Sequence, residues 1–323
     1  MSNSAVQQSL LSDIIFPIAI ATPFAVGDVF CYLIKDEKNV LVDCGHHSND
    51  SYRQLQSSLQ EQDIAISDLN EIWLTHGHPD HFGQAARLAD ESGAVVKGHP
   101  KERANFANED AGELFRAFFT AHGIPSPFIQ KMLEQLEWLQ QFQRPIEPQW
   151  VEDGAVLSSG QLSFTVKLTP GHAPGHVVYY SDEGLIFGGD VLLGHISTNA
   201  LINFDAKTGK RNQSLLQYQA TLQWMKKQQG RVLPGHGKQI TKVGQVAAHH
   251  LSEQNKRYAQ IKEQLQGAPQ GLMELSQTLF PDALERKEHF LVFSELIGFL
   301  DWGKQQGVIK EEDTAESVIF SLV

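Results

Sequence analysis

The sequence predicts a mixed α/β arrangement, and three observations carry the prediction. Short runs rich in Val, Ile, Leu and Phe alternate with amphipathic stretches of helical period, the signature of strand–helix–strand units. The strand-like runs end at Gly, Pro or Asp turns, and polar side chains collect there. From about His249 the pattern becomes helix-rich, so the 323 residues read as one large domain, 1–248, and a smaller one, 249–323.

Taken in order, "IIFPIAIATPFAV" (Ile14 to Val26) is apolar, but Asp13 stands at its entrance, no basic leader precedes it, and Pro17 and Pro23 break it. A first strand and loop suits it better than a signal peptide or membrane span. Val29 to Gly45 reads as a hairpin around the polar turn Lys35 to Asn39, its second strand ending at Asp43. "SYRQLQSSLQEQ" is a polar amphipathic helix, and "EIWLT" a buried strand that delivers His76 at its end. "DHFGQAARLADESG" predicts one helix, started by Pro79 and Asp80 and stopped by Gly93, before the strand "AVVKGHP".

Residues 103–148 carry apolar side chains at helical spacing, Leu114, Phe115, Phe118 and Phe119, then Met132, Leu133, Leu136, Leu139 and Phe142. Two helices follow, joined at "GIPSP". They either pack on the main domain or form a cap whose aromatics, Phe118 and Phe119, line an apolar pocket. From Ala155 to Asp190 the pattern is mostly β, and a helix over Ser214 to Gln229 leads to the strand-like "RVLPGHG". The tail reads helix, helix, helix, hairpin, the order of a winged-helix module.

Composition narrows the function. The net charge of -12 disfavours nucleic acid as a partner, and the tail holds seven Lys/Arg against twelve Asp/Glu. The tail is therefore expected to serve packing or homodimer formation. Cys31 and Cys44 lie in apolar runs and are expected as buried, reduced thiols. A cytoplasmic enzyme acting on a small molecule, with no membrane partner, is the expectation.

The segment "LTHGHPDHFG" concentrates His76, His78, Asp80 and His81 just after a strand. His76 and His78, two apart on extended chain, can point to one side, while Asp80 and His81 lie where the chain turns into a helix and aim elsewhere. One loop thus suggests two metals. His172 in "TPGHAPGH", Asp190 in "LIFGGD" and His236 in "LPGHG" occupy the same kind of place, a strand terminus beside Gly or Pro. Imidazole and carboxylate without thiol suit catalytic zinc, and iron or manganese accept the same mixture.

These motifs, with Asp43 in "VLVDCG", resemble those of the metallo-β-lactamase-fold hydrolase superfamily over about residues 14–245. The resemblance implies an α+β fold, a four-layer αββα sandwich, here with a helical cap insertion and a winged-helix-like C-terminal domain. It implies that His76, His78 and His172 bind one divalent ion, that Asp80, His81 and His236 bind the other, and that Asp190 bridges them. Asp43 would orient a ligand by hydrogen bonding and His176 would support rather than ligate. The implied chemistry is metal-dependent hydrolysis by a hydroxide shared between two ions, with Asp80 shuttling its proton. A subgroup with such tails is similar in "GDVLLGHISTNALI", and the basic glutathione-binding residues of glyoxalase II are not evident.

For the substrate, an ester or thioester of an apolar acyl group fits a Phe-rich cap. A phosphodiester, as for endoribonuclease-type members, and a lactone or β-lactam are the alternatives. A regulatory protein that keeps the fold without turnover is the reading from another class. Lys101 and Arg103 in "HPKER" are candidate contacts for a substrate phosphate or carboxylate, and His195 for a substrate oxygen.

Overall fold

The computed structural model describes residues 13–205 and 208–323. Its first sheet is built from β1 (Ile15–Ile20), β2 (Val29–Lys35), β3 (Asn39–Val42), β4 (Leu69–Trp73), β5 (Val95–Gly98) and β6 (Gln149–Trp150), in that spatial order. β1, which contains Pro17, is an edge strand, where a missing N–H is tolerated. The expected hairpin is β2 and β3, paired antiparallel, and β3, β4 and β5 run parallel through helical crossovers. Those crossovers are α1 (Asn49–Gln60) and then α2 (Pro79–Phe82) with α3 (Ala85–Ser92).

A single helix from Asp80 to Gly93 was the expectation, and the structure breaks it at Gly83 and Gln84. A Cβ on Gly83 would sit 2.3 Å from the Phe142 carbonyl oxygen and 2.4 Å from the His47 nitrogen. Two other backbone segments therefore pass too close for any residue but glycine, and Gln84 N donates to Gly45 O at 3.1 Å instead of continuing the helix.

The segment 103–148 holds α4 (Arg103–Phe106), α5 (Gly112–Ala121) and α6 (Ser126–Gln140). The second sheet orders β11 (Arg231–Pro234), β10 (Leu185–Gly189), β9 (Val177–Tyr180), β8 (Ser163–Leu168) and β7 (Val156–Ser158), with α7 (Ser214–Met225) before β11.

Both faces of the central strands are buried, which is why their sequence reads as unbroken apolar runs rather than alternation. Tyr32, Ile34, Val40, Val42 and Trp73 of the first sheet meet Phe164, Val166, Tyr179 and Phe187 of the second. The opposite face of the first sheet, Cys31, Leu33, Leu41 and Ile72, packs on Leu55, Leu59 and Leu88 of its helices. Val178 and Ile186 turn instead to Leu222 and Met225 of α7. Helix, sheet, sheet and helix form a four-layer αββα sandwich. Both cysteines are buried and unpaired by disulfide.

The chain continues with α8 (Val243–Gly267), β12 (Gln270–Gly271), α9 (Leu272–Leu279), α10 (Pro281–Glu285), α11 (His289–Gln305), β13 (Ile309–Asp313) and β14 (Val318–Leu322). One apolar cluster spans Phe115, Val178, Leu215, Phe293 and Phe320, so the core is continuous from cap to tail. Arg211 forks onto the buried Asp301 of α11 at 2.7 and 2.9 Å, tying the chain just before α7 to the tail. Among the described residues no helix is long and apolar enough to cross a membrane.

Candidate metal centre

The loops at one edge of the two sheets converge. Asp43 ends β3 with φ 56, a left-handed conformation uncommon for a residue with a Cβ. There its carboxylate accepts from Thr75 N, Thr75 Oγ1 and His81 Nδ1, each at 2.8 Å. Thr75 Oγ1 in turn lies 3.0 Å from His76 Nδ1. One side chain thus draws the end of β4 and the helix bearing Asp80 and His81 together. Pro79 at the first position of α2 starts that helix with His78 as its N-cap.

The other ligand-type residues are fixed in the same way. His172 Nδ1 donates to Asn199 O at 2.9 Å, and His236 Nδ1 to Asp28 O at 2.8 Å. Gly171, at φ +139, presses its Cα against the backbone of Tyr218, where a Cβ would come within 2.3 Å of that residue. Asp190 N donates to His176 Nε2 at 3.2 Å, which leaves His176 Nδ1 to donate to Thr169 Oγ1 at 2.9 Å. His176 is thereby used as a support for the Asp190 loop.

With Nδ1 engaged in donation on His81, His172 and His236, each Nε2 presents a lone pair inward. These atoms meet other acceptors. His81 Nε2 is 3.4 Å from Asp190 Oδ1, His172 and His236 Nε2 are each 3.6 Å from Asp190 Oδ2, and His236 Nε2 is 3.3 Å from Asp80 Oδ2. The Nε2 atoms of His76, His81, His172 and His236, and Asp190 Oδ1, are buried without a hydrogen-bond partner. Acceptors facing acceptors in a buried place require positive charge between them, either protons or metal ions.

Three sets have donor atoms within 4.8 Å of one another: His76, His78, His172; His76, His81, Asp190; and Asp80, His81, His236. Donors about 3.4 Å apart are the edges of a tetrahedron around an ion with bonds of about 2.1 Å, so the donor set fits zinc-like ions. Asp190 faces both outer sets. Gly235 leaves room for it, since a Cβ there would fall 2.4 Å from Asp190 Oδ1 and 2.5 Å from His81 Cε1.

The charge state without metal follows. Burial would raise the Asp190 carboxyl, yet His236 and His81 hold it well below the carboxylate range. Burial would likewise lower His81 and His236, and the surrounding carboxylates instead raise them. Burial holds His76, His172 and His176 below the ordinary 6.5 and pushes His78 down to about 3. His46, His99, His122 and His250 are lowered by burial too.

A histidine lowered in the folded state adds no penalty above about pH 6.5 and destabilises as pH falls toward its folded value, because the unfolded chain binds the proton first. The raised pair acts in the opposite sense, favouring the fold below pH 6.5. The lowered set is the larger. Metal-stripped protein should therefore lose thermal stability steadily as pH falls from about 6.5 to 4. A melting midpoint that holds or rises over that range in a calorimetric series would contradict this charge assignment.

Other expected contacts lie elsewhere. Phe119 is fully buried against Phe293 of α11, and Phe118 packs on Phe204 with Arg211 over its ring. Neither lines the cavity above the centre, because the tail packs on the face of α5 that carries Phe119. Arg103 stacks on Trp150 and pairs with Glu147, and Lys101 is exposed. Neither of these lines the cavity. His195 is exposed and lies over Gly237.

Between Lys101 and Arg103, sequence reasoning passed over Glu102. This residue is fully buried. Its Oε2 accepts from Gly77 N at 2.9 Å and Asn105 Nδ2 at 2.7 Å, and its Oε1 from Gly175 N at 2.5 Å. Gly77 lies between His76 and His78, and Gly175 stands just before His176. Glu102 therefore staples two ligand-bearing loops. Burial pushes its carboxyl up, opposed by these three donors. Nothing local in "HPKER" marks which side chain turns inward.

The cavity over the centre has a volume of about 870 Å³, with His78, Asp80 and His172 among its lining residues. Phe24, Phe115, Leu136, Trp138, Phe204 and Phe290 supply its apolar wall.

Comparison with known proteins gives a family model, the metallo-beta-lactamase superfamily, matching residues 25–236. The "Probable metallo-hydrolase YqjP" of Bacillus subtilis is 30% identical, over 89% of this chain and 91% of its own. Hydroxyacylglutathione hydrolase GloC of Haemophilus influenzae is 31% identical over 50% of this chain and 66% of its own. The crystal structure of the metallo-beta-lactamase family protein TTHA1429 from Thermus thermophilus superposes with a TM-score of 0.82 at 24% identity. It covers 96% of this chain and 98% of that one.

Proposed function

The chain belongs to the metallo-beta-lactamase superfamily, and on that premise we propose that this metallo-hydrolase cleaves an ester or thioester of an apolar acyl group. The ligands are His76, His78 and His172 for one ion and Asp80, His81 and His236 for the other, with Asp190 shared. Zinc is the ion we assign. The observation that carries the reading is the cavity of about 870 Å³, which joins an apolar aromatic wall to His78, Asp80 and His172. Its volume is within the range of small-molecule sites, roughly 300–1,000 Å³.

Two divalent ions held there would act as Lewis acids and lower the pKa of bound water toward roughly 7. The protein's own groups do the rest. Asp80 stays ionised, since His81 and His236 outweigh the effect of its burial, so it can take up a proton from the attacking water. Phe115, Phe204 and Phe290 exclude water and hold the acyl chain, while Asp43, Thr75 and Glu102 keep the ligand loops in register. The kinship with a hydroxyacylglutathione hydrolase supports a thioester among the substrates.

The test is a panel of an aryl ester, an acyl thioester, a lactone and bis-4-nitrophenyl phosphate. Metal-loaded protein should turn over the ester or thioester above the free-metal background. Stripping with a chelator should abolish this, zinc should restore it, and elemental analysis should then give about two ions per chain. Turnover confined to the phosphodiester would overturn the substrate assignment. Unchanged turnover after complete stripping would overturn the metal assignment.

A further inference from the structure

The charges around the cavity narrow the substrate class further. Outside the ligand set its described lining carries Glu109, Asp110, Glu113, Glu137 and Glu288, whereas Arg116 is the only Lys or Arg among the lining residues. Even Arg116 is engaged, its Nε 3.2 Å from Glu113 Oε1. Of the nearby basic residues, Arg103 is held by Trp150 and Glu147 and Arg211 by Asp301, while Arg286 forks onto Glu288 at 2.9 and 3.1 Å, which leaves Glu109, Asp110 and Glu137 as the carboxylates that set the charge. The rest of the lining mixes aromatic and aliphatic side chains with uncharged amides such as Asn108, Gln143 and Asn203. At its floor the buried His172 Nε2, with no hydrogen-bond partner, marks the reacting end.

We infer that the cavity selects acyl esters or thioesters whose apolar chain ends in an uncharged or cationic group, and that it rejects substrates carrying a distal anion. The inference rests on the hydrolase reading above. Glu109, Asp110 and Glu137 line the same cavity as Phe115 and Trp138, and among the described lining residues the one cation, Arg116, is already paired with Glu113. A distal carboxylate or phosphate there would face like charge, and a quaternary ammonium would be attracted. Trp138, 44% exposed, adds an aromatic face of the kind that attracts such a cation. Thioesters of strongly anionic carriers and phosphate-rich chains are disfavoured by the same wall.

The experiment uses three 4-nitrophenyl esters of equal chain length, ending in trimethylammonium, methyl or carboxylate, on zinc-loaded full-length protein. The cationic and neutral esters should exceed the anionic one in kcat/KM by about tenfold or more at low ionic strength. The gap should close near 1 M salt, where the screening length is about 3 Å. The double variant Glu109→Lys/Glu137→Lys, at two exposed positions, should shift the ratio toward the anionic ester. Equal handling of all three esters by wild type, insensitive to salt and to the variant, would overturn the inference while leaving the hydrolase reading intact. If no ester is cleaved, that reading fails, and calorimetric titration with decyltrimethylammonium and decanesulfonate decides the inference. Binding of the cation alone supports it; equal or tighter binding of the sulfonate overturns it.

Discussion

Asp190→Ala is expected to lower turnover by about 10³-fold or more and to leave fewer than two ions per chain. The figure follows from the several kcal/mol a metal supplies to the transition state, at about 1.4 kcal/mol per tenfold. Asp190 Oδ1 is 3.4 Å from His81 Nε2, and Oδ2 is 3.6 Å from both His172 and His236 Nε2. Its removal takes away the one carboxylate that faces members of both outer sets. It also removes a counter-charge that raises His81 and His236, so protons are held less firmly in its place. Asp190→Asn keeps the shape without the charge and should fall between. His78→Ala should move metal content and turnover the same way. Wild-type metal content together with wild-type turnover in either alanine variant would sink the ligand assignment.

Glu102→Ala should affect both stability and metal retention, although the residue touches no metal site directly. The substitution leaves Gly77 N and Gly175 N short of their acceptor in a buried place, and the half-buried Asn105 amide without its partner. At about 1–3 kcal/mol for each unsatisfied group, a loss of roughly 3 kcal/mol or more is expected. With the staple gone, the loops bearing His76 and His78 and bearing His172 and His176 can move apart. Metal affinity measured against a competing chelator should fall about 10–100-fold, the usual effect of losing a group that positions ligands. Glu102→Gln should recover part of the affinity, because its remaining carbonyl oxygen can accept one or two of the three donors. A variant that melts earlier but binds zinc as tightly as wild type would reduce Glu102 to a folding role.

The residues that gather at the centre were legible because His76, His78, His172, Asp190 and His236 stand just after strands beside Gly or Pro, and Asp80 and His81 follow at a Pro-started helix, so type and place could both be read from short words such as "THGHPDH" and "PGHG". The hairpin of β2 and β3, the strand before His76 and the helices of the tail were legible for a similar reason, since periodicity and turn residues act over a few positions. The break after Gly83 was not, because Gln84 N there donates to Gly45 O, a residue distant along the chain, instead of continuing the helix. The cavity wall was not either. On α5, Phe115 and Phe119 are four apart and share a face, but Phe119 is claimed by Phe293 in the tail while Phe115 reaches the cavity.

By itself, then, the sequence determined the chemistry of the centre and the succession of elements, both encoded locally. Tertiary structure decided what surrounds that chemistry: which carboxylate staples the loops, which aromatics line the cavity, and which charge the cavity presents. Those depend on contacts such as Glu102 with Gly175, or α5 with α11, between segments tens to hundreds of residues apart. A helical period states that a face is apolar, and only the packed fold states what that face is apolar against.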